Sequence, residues 1–128
     1  MLVLPIYWNN GKKTILLSQN WYRNAFFYEQ NRAKQEFHEL VAHQLQGTQR
    51  LAGLFTLELS LYYKNPNCDL SNVCSIIEKF TLDALQQHDI ITNDSVKYHL
   101  GSLTRVAGQD KVNPRCEIII QEAVNGSK

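Results

Sequence analysis

Two aspartates sit where loops meet a helix. Asp69 precedes the helical stretch from Ser71 to about Gln87, and Asp94 lies in the turn that follows it. If the two flanking loops meet at one edge of a sheet, the carboxylates share a site. Neighbouring carboxylates repel, and they stay ionised most easily with a cation between them. Oxygen donors of this kind suit Mg²⁺, which keeps several waters and needs only one or two protein carboxylates. A bound Mg²⁺ can activate water and stabilise charge on a phosphodiester under attack. The structural alternatives are helix capping by Asp69 or Ser71 and a plain turn at Asn93-Asp94.

Alternating and helical patterns predict the elements that must position these groups. Leu2 to Tyr7 reads as a first strand, followed by a turn at Asn9-Asn10-Gly11. Thr14 to Leu17 is an edge strand or an extended arm, and Ser18 to Asn24 shows no clear period. Ala33, Phe37, Leu40, Val41 and Leu45 recur at helical spacing, so a helix is expected from about Gln30 to Gln46, stopped by Gly47. Leu54 to Tyr63 alternates as a strand, and Lys64-Asn65-Pro66-Asn67 ends it. In the second helix, Val73, Ile76, Ile77, Phe80 and Ala84 form an apolar stripe, with Asn72, Ser75, Lys79, Asp83 and Gln86 beside it. Strands are expected from Ser95 to Leu103 and from Cys116 to Gln121, around a loop from Gly108 to Pro114. The tail from Asn125 is expected to fray. The sum is a single α+β domain over residues 1–128, a small mixed β-sheet with two main helices.

Composition narrows the classes. A chain of 128 residues can bury a core without staples. No apolar run is long enough for a transmembrane helix, and the apolar N-terminus lacks the basic residues and cleavage site of a signal peptide. Three scattered cysteines, Cys68, Cys74 and Cys116, fit reduced thiols and a cytoplasmic setting. The net charge of +1 is low for a DNA binder, but affinity follows local patches rather than the total. His38, His43, His88 and His99 show no metal-ligand spacing, and no phosphate-binding glycine loop is present.

Three collinear segments carry a resemblance. They are Asp69-Leu70-Ser71-Asn72 opening the helix, Asp83-Ala84-Leu85 near its end, and Ile90-Ile91-Thr92-Asn93-Asp94 after it. Together with Asn20-Trp21-Tyr22-Arg23 upstream and Asn113-Pro114-Arg115 before the last strand, they resemble the RusA-type Holliday-junction resolvases from about Asn20 to Ile120. The resemblance implies a homodimer that binds four-way DNA junctions and makes paired, Mg²⁺-dependent cuts, with Mn²⁺ as a substitute. Asp69 and Asp94 match acidic ligands of that family. Ser71 and Asn93 stand where it carries further aspartates, and a neutral serine does not replace a carboxylate charge. Ser71 then faces a metal through water, or another carboxylate substitutes, or the protein binds junctions and cuts poorly.

Glu78 is the nearest substitute on the helix, about 10 Å beyond Ser71 along the axis. It serves a metal lying alongside the helix or is a solvated charge. Lys79 matches a family lysine displaced by about one turn. It stabilises the charge of the reacting phosphate, binds a backbone phosphate, or is a plain surface lysine. Asp83 orients a base or pairs with Lys79 one turn back. Tyr22 and Arg23, with Trp21, are candidate DNA contacts, the arginine to phosphate and an aromatic to an exposed base. Lys12, Lys13, Arg32, Lys34, Lys97, Arg105, Lys111 and Arg115 could track backbone phosphates. Phe26, Phe27 and Tyr28 are expected in the core or an interface, with a wedge into the junction as the alternative.

Overall fold

The N-terminal apolar stretch forms two strands rather than one. In the computed structural model, which describes residues 1–51 and 53–123, β1 (Leu2–Pro5) ends before the buried Ile6. β2 (Tyr7–Asn9) then turns back onto β3 (Thr14–Leu16), so the optional strand exists and closes a separate two-stranded hairpin. The turn is built as its residues demand. Asn9 and Asn10 accept backbone N–H bonds from Gly11, Lys12 and Lys13, and Gly11 takes φ 98°, where a side chain would be strained.

Ser18 to Asn24 has no apolar period, yet it contains a helix, α1 (Gln19–Asn24). Ser18 caps it by accepting from the Trp21 N–H at 3.2 Å. α2 (Phe27–Gln44) starts a turn earlier than its apolar stripe does, because Phe27 and Tyr28 are exposed and add nothing to that stripe. It ends as expected, with Gly47 at φ 78° just beyond.

β4 (Phe55–Tyr63) leads through the 64–69 loop into α3 (Leu70–Gln87), which returns the chain to β5 (His99–Gln109), parallel to β4. A parallel pair needs such a crossover. β5 starts later and ends later than its sequence pattern suggests. Ser95 accepts from the N–H groups of Tyr98 and His99, which keeps 95–98 in a turn. At the far end, Gly108 and Gln109 continue the ladder opposite Tyr62 and Tyr63. β6 (Arg115–Glu122) runs antiparallel between β4 and β1, giving the order β1-β6-β4-β5. The α+β class and the small mixed sheet are as expected, and the tail from Asn125 lies outside the described residues.

The core lies between one sheet face and the two long helices. Alternation turns Phe55, Leu57, Leu59 and Leu61 of β4 inward, against Val73, Ile77, Phe80 and Ala84 of α3. Phe80 is the hub, with its ring 5.6 Å from Phe37 of α2 and 6.0 Å from Tyr22 of α1, both edge-on. No described helix is long and apolar enough to cross a membrane.

Candidate functional site

Asp69 is the N-cap residue of α3, but its side chain makes no capping hydrogen bond. Its backbone carbonyl accepts from the Val73 N–H, while the carboxylate is exposed to solvent. Ser71 beside it is also exposed. At the other end, Asn93 Oδ1 accepts from the Ser95 N–H at 2.9 Å, which is the ordinary work of a turn asparagine. Asp94 is exposed and free of any ion pair among the described residues.

The loops that carry these two acids do not meet within one chain. α3 has 18 residues, a span of about 26 Å. It runs back along β4, so Asp69 stands beyond the Tyr63 end of that strand. Ile90 and Ile91 donate to the Leu85 carbonyl, and the Ser95 turn leads into His99, which pairs with Phe55 at the strand's start. Asp94 therefore lies at the opposite end of the parallel pair. Two carboxylates on one Mg²⁺ each sit about 2.1 Å from the ion. The single chain thus does not fit the shared cation site expected from the sequence. No described cluster of three or more His, Cys, Asp or Glu residues could hold a metal ion.

Glu78 and Lys79 are well separated from Asp69 along the helix, at about 13 and 15 Å of axial rise. Glu78 is half-buried, and its charge acts on the Cys74 thiol. Cys74 and Cys116 are both buried and neighbour each other, with the contact to Cys74 and burial pushing the Cys116 thiol up. Lys79 is exposed and holds its ammonium 5.9 Å from the Tyr22 ring centroid. Two candidate DNA contacts, 57 positions apart in the chain, thus lie side by side. Arg23 is exposed on the last turn of α1.

Asp83 does not pair with Lys79. It bridges to Lys34 of α2 at 3.1 Å, which takes Lys34 out of the phosphate-tracking set as well. Beside this bridge lie His38 and His88, with rings 6.3 Å apart. Burial holds His38 below the usual histidine range, opposed by the nearby Gln87 side chain and the charge of Asp83. This cluster joins two helices, and histidine spacing along the chain carries no signal of it.

Arg115 is also committed. Its guanidinium lies 3.9 Å over the Tyr62 ring and bonds to Asp110 at 2.8 Å and Glu117 at 2.9 Å. Arg32 stacks over Trp8, and Lys97 lies over Tyr98. Phe26, Phe27 and Tyr28 are not core residues of this chain. All three are exposed, and Phe26 stacks on Tyr28 at 5.9 Å. An interface or a wedge is what their exposure allows.

Compared with known proteins, the chain matches no family model and no curated protein sequence.

Proposed function

We propose that this chain acts on branched DNA as a two-fold pair, a structure-selective endonuclease of the type its motifs resemble, working in the cytoplasm. The observation that carries the reading is Asp69. An aspartate before a helix ordinarily caps it, and this one does not. Its carboxylate is left exposed and uncommitted at the start of an 18-residue helix. The Tyr22–Lys79 contact, together with the exposed Arg23 on the same short helix as Tyr22, adds aromatic and phosphate-binding groups.

The separation of Asp69 from Asp94 sets a condition on this reading. One copy alone cannot gather both acids, whereas two copies related by a two-fold axis run in opposite directions. Asp69 of one copy then faces Asp94 of the other, and the pair has two equivalent sites, each suited to Mg²⁺ or Mn²⁺. β5 offers an edge for such pairing. No described strand pairs with its outer side, and Leu100, Leu103 and Val106 are exposed along it.

Junction binding without cleavage is the second reading, favoured by the neutral Ser71 and Asn93. A four-way-junction assay with Mg²⁺, Mn²⁺ or EDTA separates the two. The endonuclease reading expects metal-dependent cuts that Asp69→Asn abolishes and Ser71→Asp enhances. Tight junction binding in EDTA, with no cuts at any concentration of either metal, supports the second reading and rejects the first.

A further inference from the structure

Outside the carboxyl ends of the parallel strands β4 and β5 lies a cleft of about 570 Å³. Tyr7, Lys64, Asn65, Pro66, Gln109 and Lys111 line it. The groups offered here are almost all cationic or hydrogen-bond donating. Lys64 holds its ammonium 5.8 Å from the Tyr7 ring centroid, and neither Lys64 nor Lys111 has an ion pair among the described residues.

The acid closest in sequence to Lys111 is engaged elsewhere. Asp110 Oδ1 accepts from the N–H groups of Val112 and Asn113, and its Oδ2 pairs with Arg115. Both lysine charges therefore remain unneutralised. Asn65 Oδ1 accepts from the Asn67 N–H, which leaves the amide NH₂ as the group it can offer a ligand. Burial, then the neighbouring Cys68, raises the Tyr7 phenol, so it stays a neutral O–H donor. The walls are fixed to each other, because Gln109 Nε2 donates to the Lys64 carbonyl and the Asp110 N–H donates to the Tyr63 carbonyl.

Such a cleft recognises anionic acceptor oxygens. Its volume admits a nucleotide unit rather than a lone phosphate. Its two lysines stand on different loops, one following β4 and one following β5, which suits charges spaced along a strand. The cleft shares a loop with the candidate site, since Lys64, Asn65 and Pro66 stand on the 64–69 segment that ends at Asp69. We propose that this cleft seats the sugar–phosphate backbone of a DNA strand, with Lys64 and Lys111 each on a phosphate, and leads it past Asp69. The proposal deepens the DNA-acting reading and rests on it for the choice of polymer, but it does not require cleavage.

The test is salt-dependent binding of the full chain to a fluorescein-labelled four-way junction and to a labelled duplex, in EDTA, by anisotropy. Wild type is compared with Lys64→Gln/Lys111→Gln and with Lys64→Arg/Lys111→Arg, each checked for an unchanged melting temperature. Each lost phosphate contact lowers the slope of log K against log salt by about 0.9, so the glutamine pair should lose about 1.8 and bind about 60-fold more weakly at about 0.1 M salt. The arginine pair should keep the wild-type slope. DNA binding by wild type with an unchanged slope in the glutamine pair overturns the cleft alone. Wild type that binds neither DNA overturns the cleft together with the DNA-acting reading. A reduced slope in a protein that never cuts sustains the cleft and rejects the endonuclease.

Discussion

The sharpest perturbation separates Asp69 and Asp94 onto different copies. Let one copy carry Asp69→Asn and the other Asp94→Asn, with different affinity tags so that mixed pairs can be purified. α3 spans about 26 Å, whereas oxygens sharing one Mg²⁺ lie within about 4 Å of each other. That mismatch is too large for side-chain reach, so a working site must draw on both copies. In the mixed pair, one site then holds both substituted residues and the other holds both native aspartates. One of two sites is intact, so first-strand nicking should return to about half the wild-type rate, while either variant alone stays inactive. The assay follows a junction labelled on one strand at a time, under denaturing electrophoresis. A mixed pair as inactive as its parents, beside an active wild type, would refute the argument, because it would mean that each chain builds its own site.

Two further predictions concern the frame that holds these residues. His38 is buried with its ionisation disfavoured, so the unfolded chain takes up its proton first as pH falls. Its contribution to stability is present above the unfolded pKa of about 6.5 and is lost as pH falls below it, at no more than about 1.4 kcal/mol per pH unit. Urea denaturation between about pH 7.5 and 5.5 should therefore show a decline that His38→Gln flattens, and an unchanged slope in that variant would sink the assignment. Phe80→Ala removes the ring that joins α1, α2 and α3 and should cost about 3–5 kcal/mol, read from the same urea transitions. A loss under about 1 kcal/mol would mean that the site closes over the missing ring.

Much of the frame was readable from local order. The period-two run around Leu57, Leu59 and Leu61 and the helical run around Val73, Ile77, Phe80 and Ala84 each name the face that must leave water, and burial follows directly. Turn chemistry was equally legible at Asn9-Asn10-Gly11 and Gly47. α1 was not, because six residues are too few to show a period. Its one signal was the Ser18 cap, which is meaningful only once Trp21 and Tyr22 pack beneath it. The late end of β5 was also hidden, since Gly108 and Gln109 are held in the ladder by Tyr62 and Tyr63 of β4 and not by their own strand preference.

Sequence by itself determined which segments form the two long helices and the central strand, and which face of each leaves water. It could not determine which side chains meet. Asp69 and Asp94 looked like a pair because both flank one helix, and the tertiary structure leaves their loops at opposite ends of α3. Lys79 and Asp83, one turn apart, looked like partners, yet Lys79 lies against Tyr22 and Asp83 bonds to Lys34 of another helix. Lys64 and Lys111 were remote in the chain, and the parallel pairing of β4 with β5 brings both to one cleft. The physical reason is common to all three cases. Local sequence sets the direction in which a side chain leaves its own element, while partners are chosen by the packing of elements distant in the chain, which no short-range pattern encodes.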